Sequence, residues 1–273
     1  MLERAGSGHS AGPLGLADIF SALYFNILKH NPKNPNWDQR DILVLSNGHC
    51  VPIRYVTMAF AGYFPKEELK TLRQYGSRLQ GHPERTRLPG METTSGPLGS
   101  GLSQAAGMAT ALKMNGERHR WVYCITSDGE HNEGNTWEGI LYAAKYSLSN
   151  LIVIVDRNNI QIDGPTEDIM PLEDFAAKYE AFGWHVQEVD GHNVQSIIDA
   201  CSMARAIENR PSVIIAHTIP GKGVDFMEYN YLWHGNPPGT IEPPGSPSKA
   251  DQARIALKEL RTLGGKIKSE AHD

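Results

Sequence analysis

Residues 121–129 read Trp-Val-Tyr-Cys-Ile-Thr-Ser-Asp-Gly, an apolar run that ends in a polar turn. Such a run predicts a buried strand, and Gly129 permits the sharp turn by which the chain leaves the sheet. A second apolar run, residues 151–155, is followed by polar residues that include Asn158. The pattern therefore predicts two strands, each of which delivers an oxygen-bearing side chain, Asp128 or Asn158, at its carboxyl end.

The segment between these two runs has helical periodicity. We predict a helix from about Glu133 to Ser147 whose apolar stripe packs against the sheet. The stripe consists of Trp137, Ile140, Leu141, Ala144 and Leu148. A strand, a helix and a strand in this order form a right-handed crossover with parallel strands, so both carboxyl ends lie at the same edge of the sheet. Open α/β sheets bind their ligands at that edge.

The rest of the chain continues the alternation of strands and helices. Further strands are predicted at residues 40–46, 184–189 and 212–216, and helices at residues 14–28, 103–111, 172–182 and 194–203. This alternation predicts an α/β fold with a mostly parallel sheet and helices on both faces. The strand at 40–46 would place His49 at the same edge as Asp128.

Proline and glycine mark a boundary near residue 236. Five prolines and two glycines occur between residues 236 and 247, a composition typical of a semi-rigid connector. We predict one α/β domain over residues 1–236, followed by a proline-rich connector and a C-terminal helix over residues 237–273. Ser248 is the predicted cap of that helix, and Gly264-Gly265 is its predicted end.

The composition is typical of a soluble, cytoplasmic enzyme. Of the 273 residues, 40% are hydrophobic, enough to bury a full core. No apolar run reaches the ~18 residues of a membrane span, and the first residues do not resemble a secretory signal. The net charge of −5 provides no general field for attracting nucleic acid. The 3 widely spaced cysteines predict reduced thiols rather than a disulfide framework.

The side chains at the predicted sheet edge suit a magnesium ion. Asp128 offers a carboxylate, Asn158 offers an amide oxygen, and a nearby main-chain carbonyl such as that of Ile160 is a third hard donor. The helix that begins near Glu133 adds free amide donors and a positive dipole, which favour phosphate. Together these features predict a magnesium diphosphate site, whereas an ordinary surface turn would explain either residue taken alone.

Ser127-Asp128-Gly129, followed by Asn158, resembles the thiamine diphosphate motif, which normally reads Gly-Asp-Gly, then about thirty residues, then Asn. Other segments resemble transketolases in particular, and they occur in order between residues 6 and 235. These segments are Ser7-Gly8-His9, Ser46-Asn47-Gly48-His49, Gly81-His82-Pro83-Glu84, Thr94-Ser95-Gly96-Pro97-Leu98-Gly99, Glu133-Gly134-Asn135-Thr136-Trp137-Glu138, residues 150–158, Gln161-Ile162-Asp163-Gly164 and Trp233-His234-Gly235. The chain thus resembles the diphosphate-binding domain of transketolases.

The resemblance implies a cofactor site. Asp128, Asn158 and the Ile160 carbonyl would hold Mg²⁺, or another divalent cation such as Ca²⁺ or Mn²⁺. Gly129 would let the backbone approach the diphosphate of thiamine diphosphate, and His49 would lie near it. The other implied cofactor contacts are Gly96, Pro97, Leu98, Ser127, Glu133 and His234. The glycine-rich segment 96–101 either packs closely without a further role or forms an amide-rich loop near the cofactor.

The resemblance also implies a reaction. Transketolases transfer a two-carbon ketol unit from a ketose donor to an aldose acceptor, and protons must move at the oxygens of both sugars. The implied catalytic residues are His9, His82 and His234, because an imidazole with an ordinary pKa near ~6.5 exchanges protons at neutral pH. Any single histidine is more often structural, and His131 lacks a matching sequence context.

One half of a transketolase active site has no counterpart in this sequence. Full-length transketolases are more than twice as long, and the chain resembles only their amino-terminal domain. A separate C-terminal subunit with the pyrimidine-binding domain would supply two things: the glutamate that activates the cofactor, and most of the contacts to the sugar phosphate. The two subunits would form a heterotetramer with two copies of each chain. The alternatives are another thiamine diphosphate enzyme, such as a deoxyxylulose phosphate synthase or an oxo-acid dehydrogenase component, and a noncatalytic assembly subunit.

Three features depart from the family pattern. Ser127 replaces the usual first glycine and adds a side chain that either donates a hydrogen bond to the phosphate or crowds it. Ser10-Ala11 replaces the usual Pro-Gly after His9, which predicts a different local geometry. The chain begins eight residues before His9, where family members usually have a helix, which indicates an alternative start or an unusual partner contact.

Overall fold

A parallel β-sheet forms the centre of the computed structural model, which describes residues 1–117 and 119–262. The strands are β1 (Ile42–Leu45), β2 (Val122–Ser127), β3 (Leu151–Arg157), β4 (His185–Asp190) and β5 (Ser212–His217). Their order in the sheet is β1-β2-β3-β5-β4, and every neighbouring pair is parallel. The predicted α/β fold and its predicted strands are therefore confirmed, with ends that differ by one or two residues.

Helices connect the strands and cover the sheet. The α-helices are α1 (Leu2–Ala5), α2 (Ala11–Gly15), α3 (Ala17–Ala22), α4 (Val51–Ala61), α5 (Ser100–Met114), α6 (Gly134–Lys145), α7 (Thr166–Ile169), α8 (Phe175–Ala181), α9 (Val194–Ala206) and α10 (Lys249–Thr262). Short 3₁₀-helices occupy Gly48–Cys50, Lys66–Thr71, Gly129–Asn132 and Tyr231–Trp233, and a π-helix occupies Leu23–Ile27.

The two faces of the sheet pack against different helices. In β3, Ile152 and Ile154 belong to a core cluster with side chains of α3, α4 and α9. Val153 and Val155 belong to a second cluster with side chains of α5, α6 and α8. Because alternate side chains of a strand point to opposite faces, a strand buried on both faces needs an unbroken apolar run, as the sequence has here. Each such buried side chain contributes on the order of 2 kcal/mol.

Strand register brings the polar ends of the two central strands together. Ser127 at the end of β2 lies beside Asp156 in β3. The amide of Asp128 donates a hydrogen bond of 3.2 Å to the carbonyl of Asp156, which continues the pairing past the strand. Asn158 follows two residues later in the chain. The predicted meeting of Asp128 and Asn158 at one sheet edge is thereby confirmed.

The predicted helix over residues 14–28 is present with one interruption, at Leu16. The segment forms the end of α2, then α3, and then the π-helix Leu23–Ile27. The break after Gly15 coincides with a tertiary contact, because a Cβ atom on Gly15 would lie 3.0 Å from the carbonyl oxygen of Ile219. The chain therefore passes close to another backbone segment at this point and turns before it continues.

Helix α10 packs back onto the domain through the proline-rich connector. The buried Gln252 side chain accepts a 2.8 Å hydrogen bond from the Gly239 amide and donates to the carbonyls of Ile241, at 2.8 Å, and Pro247, at 3.0 Å. Ala256 belongs to an apolar cluster that includes Trp233. The predicted C-terminal helix is confirmed, its predicted end at Gly264-Gly265 lies outside the described residues, and the domain boundary at 236 stays a prediction.

Within residues 1–117 and 119–262, no helix has both the length and the apolar character needed to cross a membrane.

Candidate functional site

Asp128 is completely buried at the end of β2, where three donors surround its carboxylate. One oxygen accepts a 2.7 Å hydrogen bond from the Gly129 amide. The other accepts hydrogen bonds from the Asn159 amide, at 2.7 Å, and from the Arg157 guanidinium, at 3.2 Å. Since a carboxylate offers about four lone-pair positions, one remains free for a cation. Burial raises the pKa of Asp128 to about 6, although Arg157 opposes that rise.

Asn158 is held in place by the neighbouring Asp156. The Asn158 amide nitrogen donates a 2.8 Å hydrogen bond to one Asp156 carboxylate oxygen, and the Thr218 hydroxyl donates to the other. The Asn158 amide oxygen accepts a 3.0 Å hydrogen bond from the Ile160 amide and keeps a second lone pair. Burial raises the pKa of Asp156 to about 7.

Asp128, Asp156, Arg157 and Asn158 together form what we call the carboxylate centre. Arg157 is buried and also contacts Glu167, at 2.7 Å, and Glu173, at 2.6 Å, so it links Asp128 to the segment after β3. The sequence analysis missed the roles of Asp156 and Arg157. The available signal was a pair of charged residues at the end of an otherwise apolar strand, a place where charges need partners.

The carboxylate centre fits a small, hard cation. Asp128 and Asn158 each retain an oxygen lone pair, and such a cation fills its other positions with water or phosphate oxygens. No group of three or more His, Cys, Asp or Glu side chains within the described ranges could hold a metal, so the ion would depend on these few oxygens. Gly129 leaves no room for a side chain, because its Cβ would lie 2.9 Å from Gln161 Cγ.

The two predicted sources of phosphate-binding amides have different outcomes. The predicted helix start near Glu133 is confirmed, because α6 begins at Gly134, and the 3₁₀-helix Gly129–Asn132 lies between Asp128 and α6. In the segment 96–101, the Gly99 amide donates a 2.7 Å hydrogen bond to Glu130, and the Gly101 amide donates a 3.1 Å hydrogen bond to the Ser46 hydroxyl. The Gly99 and Gly101 amides therefore already donate to side chains of the same protein. The prediction that the amides of this segment are free for a phosphate is wrong for these two.

Glu130 is a buried residue that holds the segment 96–101 in place, and nothing in the sequence had singled it out. Its carboxylate accepts from the Gly99 amide and from the Ser46 hydroxyl, which joins the end of β1 to the start of α5. Its other carboxylate oxygen is buried without a partner in the part of the chain that the structure describes. Burial raises the pKa of Glu130. The sequence offered only a glutamate in a polar turn, which is ordinary on a surface.

Three histidines from distant parts of the chain form a cluster. The ring centroids of His9 and His49 are 4.6 Å apart, those of His49 and His234 are 5.2 Å apart, and those of His9 and His234 are 5.4 Å apart. His49 lies in the 3₁₀-helix after β1, and His234 follows the 3₁₀-helix Tyr231–Trp233. We call His9, His49 and His234 the histidine cluster.

The histidine cluster contains polar atoms without protein partners. Among the described residues, Nδ1 of His9, Nδ1 of His234 and both polar side-chain atoms of Asn47 are buried without a hydrogen bond. Buried polar atoms are rarely left unpaired in native proteins. Their concentration beside one sheet edge indicates a place for a polar ligand.

His82 lies next to the glycine-rich segment and is more exposed than the cluster. A Cβ atom on Gly96 would lie 3.8 Å from the His82 ring. His82 also acts on the histidine cluster, because its charge is among the causes that lower the pKa values of His9 and His49. The structure therefore brings all four predicted histidines to one region.

Burial keeps these imidazoles uncharged at neutral pH. It lowers the pKa of His9 to about 3, and the charges of His234 and His82 contribute. It lowers the pKa of His234 to about 4 and that of His49 well below its usual value. The pKa of His82 is also lowered, by burial and by the charge of Arg73. A neutral imidazole has one nitrogen that accepts a proton and one that donates.

The remaining predicted cofactor contacts surround this region. Ser127 is buried at the end of β2, whereas Pro97, Leu98 and Glu133 are exposed. A Cβ atom on Gly99 would lie 2.6 Å from Glu133 Cβ, so the loop that contains Gly99 rests against the start of α6. Exposed side chains at this position are available to a ligand or to another chain.

Comparison with known proteins gives the same fold and places this chain among transketolase subunits of similar length. A 6-deoxy-6-sulfo-D-fructose transketolase subunit of Clostridium sp. is 44% identical over 233 residues, which are 85% of this chain and 84% of that protein. One apulose-4-phosphate transketolase subunit, from Phocaeicola vulgatus, is 40% identical over 270 residues, 99% of this chain and 92% of that protein.

Longer relatives match only in part. Transketolase 1 of Escherichia coli is 41% identical over 252 residues, 88% of this chain but 38% of that protein. The solved transketolase of Campylobacter jejuni has a TM-score of 0.82 and 35% identity, and the match covers 98% of this chain and 45% of that one. The family described as transketolase, thiamine diphosphate binding domain, matches residues 1–242. This chain therefore belongs to the thiamine diphosphate-binding domain family of the transketolases.

Proposed function

We propose that the chain is the N-terminal subunit of a two-component transketolase that transfers a two-carbon ketol unit from a ketose to an aldose. The observation that carries the proposal is the sheet edge itself, because the carboxylate centre and the histidine cluster both lie there in a family whose domain binds thiamine diphosphate. The match covers most of two proteins named transketolase subunits but 38% of the longer transketolase 1 of Escherichia coli, which supports a separate partner.

The carboxylate centre would hold the cofactor through a divalent cation. Asp128 and Asn158, with the Ile160 carbonyl, would bind Mg²⁺ or a similar ion, and Gly129 would let the backbone approach the diphosphate. Bound thiamine diphosphate supplies the nucleophilic carbon that carries the two-carbon unit. Arg157 and Asp156 would keep the two ligands oriented, in the way that neighbouring groups orient metal ligands in other sites.

The histidines would move protons at the sugar oxygens. His9, His82 and His234 would accept and donate protons at the donor and acceptor sugars. The lowered pKa values of all three leave their imidazoles neutral, so each ring can accept a hydrogen bond from a sugar hydroxyl at one nitrogen and donate one at the other. His49 and His234 would contact the cofactor. Gly96, Pro97, Leu98, Ser127 and Glu133 would complete the cofactor contacts from this chain.

A partner chain would supply the rest of the active site. We infer a C-terminal subunit with a pyrimidine-binding domain, assembled as two copies of each chain in the cytoplasm. Both subunit relatives described above are named for sugars with an anionic substituent, a phosphate or a sulfonate. These names support a sugar phosphate or a similar anionic sugar as substrate.

Calorimetry of cofactor binding tests the proposal. Thiamine diphosphate with Mg²⁺ is titrated into the chain alone and into the chain mixed with its C-terminal partner, and ketol transfer is then assayed with phosphorylated and unphosphorylated ketoses. We expect Mg²⁺-dependent binding and two-carbon transfer by the pair. Absence of binding with the partner present would favour a noncatalytic assembly subunit, and a different reaction of the bound cofactor would favour another thiamine diphosphate enzyme.

A further inference from the structure

Arg73 is an exposed arginine whose guanidinium has no ion-pair or hydrogen-bond partner among residues 1–117 and 119–262. Some other arginines are paired: Arg78, on the same segment, binds Glu68 at 2.8 Å, and the buried Arg54 binds Glu92 at 2.6 Å. An unpaired guanidinium is available to an anion from outside the chain. Arg87 is also exposed and unpaired among the described residues, so the position of Arg73, and not the missing partner alone, distinguishes it.

The guanidinium of Arg73 lies between the two loops that carry His9 and His82. A Cβ atom on Gly81 would lie 2.7 Å from Arg73 Cζ, and a Cβ atom on Gly8 would lie 3.3 Å from Arg73 Nε. Each glycine directly precedes one of the two histidines. The absence of side chains at both positions therefore makes the space that the guanidinium occupies.

The backbone and the charge of Arg73 give independent support. Its φ angle is 62°, in the left-handed region, which is uncommon for a residue other than glycine and is found more often at ligand sites. A 2.9 Å hydrogen bond from its amide to the Leu79 carbonyl holds this conformation. The positive charge of Arg73 is among the causes that lower the pKa values of His9 and His82. The guanidinium thus acts on the proposed catalytic histidines.

We propose that Arg73 binds the anionic group, a phosphate or a sulfonate, of the sugar substrate, an inference that rests on the proposed transketolase function. A guanidinium matches such groups with two parallel hydrogen bonds. The sugar is a better occupant than the cofactor diphosphate, because the Arg73 guanidinium lies against the loops that carry His9 and His82, the proposed proton-transfer residues at the sugar oxygens. The exposed position of Arg73 beside His82 also suits a substrate that enters and leaves.

Kinetics of the reconstituted pair, loaded with thiamine diphosphate and Mg²⁺, test the inference. For Arg73→Met we expect kcat/KM to fall about 10- to 100-fold with a phosphorylated ketose, mainly through KM, because a charge-assisted contact is lost. With the unphosphorylated ketose the fall should be much smaller, because that sugar has no anionic group for Arg73 to bind. Arg73→Lys should recover part of the loss, since the charge remains without the planar fork. Arg87→Met, at an exposed arginine of the same connecting segment, is the matched control.

Two kinetic outcomes would overturn the inference. Equal losses with both ketoses would assign Arg73 a structural role, and a parallel loss of thiamine diphosphate affinity would assign it to the cofactor. Thermal unfolding of Arg73→Met shows whether the variant is folded, and Arg73→Lys provides the test if it is not.

A second readout needs no turnover. In the full chain with ¹³C-labelled histidine, Arg73→Met should raise the pKa values of His9 and His82, because a nearby positive charge is removed. Inorganic phosphate should raise the pKa of His82 in the unchanged chain and should have little effect in Arg73→Met. An equal phosphate effect in both proteins would refute the anion site. If this titration succeeds while the pair transfers no ketol unit, the anion site stands and the proposed function fails.

Discussion

The carboxylate centre and the histidine cluster lie at the same sheet edge but differ in how many of their polar side-chain atoms have hydrogen-bond partners in the protein. Both oxygens of Asp128 accept hydrogen bonds, and so do both oxygens of Asp156. Even His131, beside this centre, bonds the Ser127 carbonyl and the Tyr179 hydroxyl at 2.8 and 2.7 Å. In the histidine cluster, Nδ1 of two of the three rings has no partner in the described chain.

This difference matches the proposed roles of the two regions, because the carboxylate centre would hold the cofactor and the histidines would react with the substrate. Groups that must keep a fixed position are held by several hydrogen bonds, because each extra hydrogen bond restricts their orientation. Groups that must bond a passing ligand are left with a free donor or acceptor, at a cost in desolvation of about 1–3 kcal/mol each. The comparison predicts that substitutions in the two regions fail in different ways.

The largest effect is expected for Asp128→Ala. The change removes the proposed metal ligand, one of the three carboxylate partners of Arg157, and the acceptor of two amides, which costs about 1–3 kcal/mol of stability. Cofactor binding by calorimetry and ketol transfer should both be lost. The control is Asp168→Ala, an exposed carboxylate on α7, which should change neither. Activity that survives Asp128→Ala would contradict the assigned metal ligand.

A large effect on turnover alone is expected for His82→Ala. Loss of a general acid–base group typically slows a reaction about 10²- to 10⁴-fold. His82 is not part of the packed core, so the free energy of unfolding and the affinity for thiamine diphosphate should stay the same. Steady-state kinetics and calorimetry measure the two quantities. His217→Ala is the control, because His217 is exposed and pairs with Glu188. A comparable loss in the control would undermine the comparison.

A moderate, pH-dependent effect on the free energy of unfolding is expected for a substitution of His131, the histidine whose two ring nitrogens both have hydrogen-bond partners. Burial lowers its pKa to about 4 from an ordinary 6.5. Between these values the unfolded chain binds a proton that the folded chain does not, so the free energy of unfolding falls as pH falls from 6.5 to 4. The slope is up to about 1.4 kcal/mol per pH unit. Urea unfolding of His131→Asn should show a weaker dependence in this window, and an unchanged slope would refute the assignment.

The smallest effect is expected for Ser127→Gly, which restores the usual motif. Glycine in a strand lowers the free energy of unfolding by about 0.5–1 kcal/mol. If the serine crowds the phosphate, thiamine diphosphate binds more tightly to the variant, and if the serine donates a hydrogen bond, it binds more weakly. Calorimetry distinguishes the two possibilities, and Ser127→Ala separates the hydroxyl from the volume of the side chain.

Local sequence patterns predicted the sheet and the Asp128–Asn158 pair because each depends on short-range signals. An apolar run followed by a polar turn specifies a buried strand and its end, and the intervening helical stripe makes the strands parallel. The pattern could not predict the break after Gly15 or the internal use of the Gly99 amide. Both coincide with contacts to residues far along the chain, Ile219 and Glu130.

The amino-acid sequence alone thus determined the α/β fold and the carboxylate and amide at its edge, since neighbouring residues along the chain carry that information. Only the tertiary structure decided which histidines share a cluster, because His9 and His234 lie 225 positions apart and meet through packing. It also decided which polar groups have hydrogen-bond partners in the protein, such as the Asp128 carboxylate, and which remain available to a ligand, such as the Arg73 guanidinium. Hydrogen-bond satisfaction is a property of the whole fold, since a partner can come from any part of the chain.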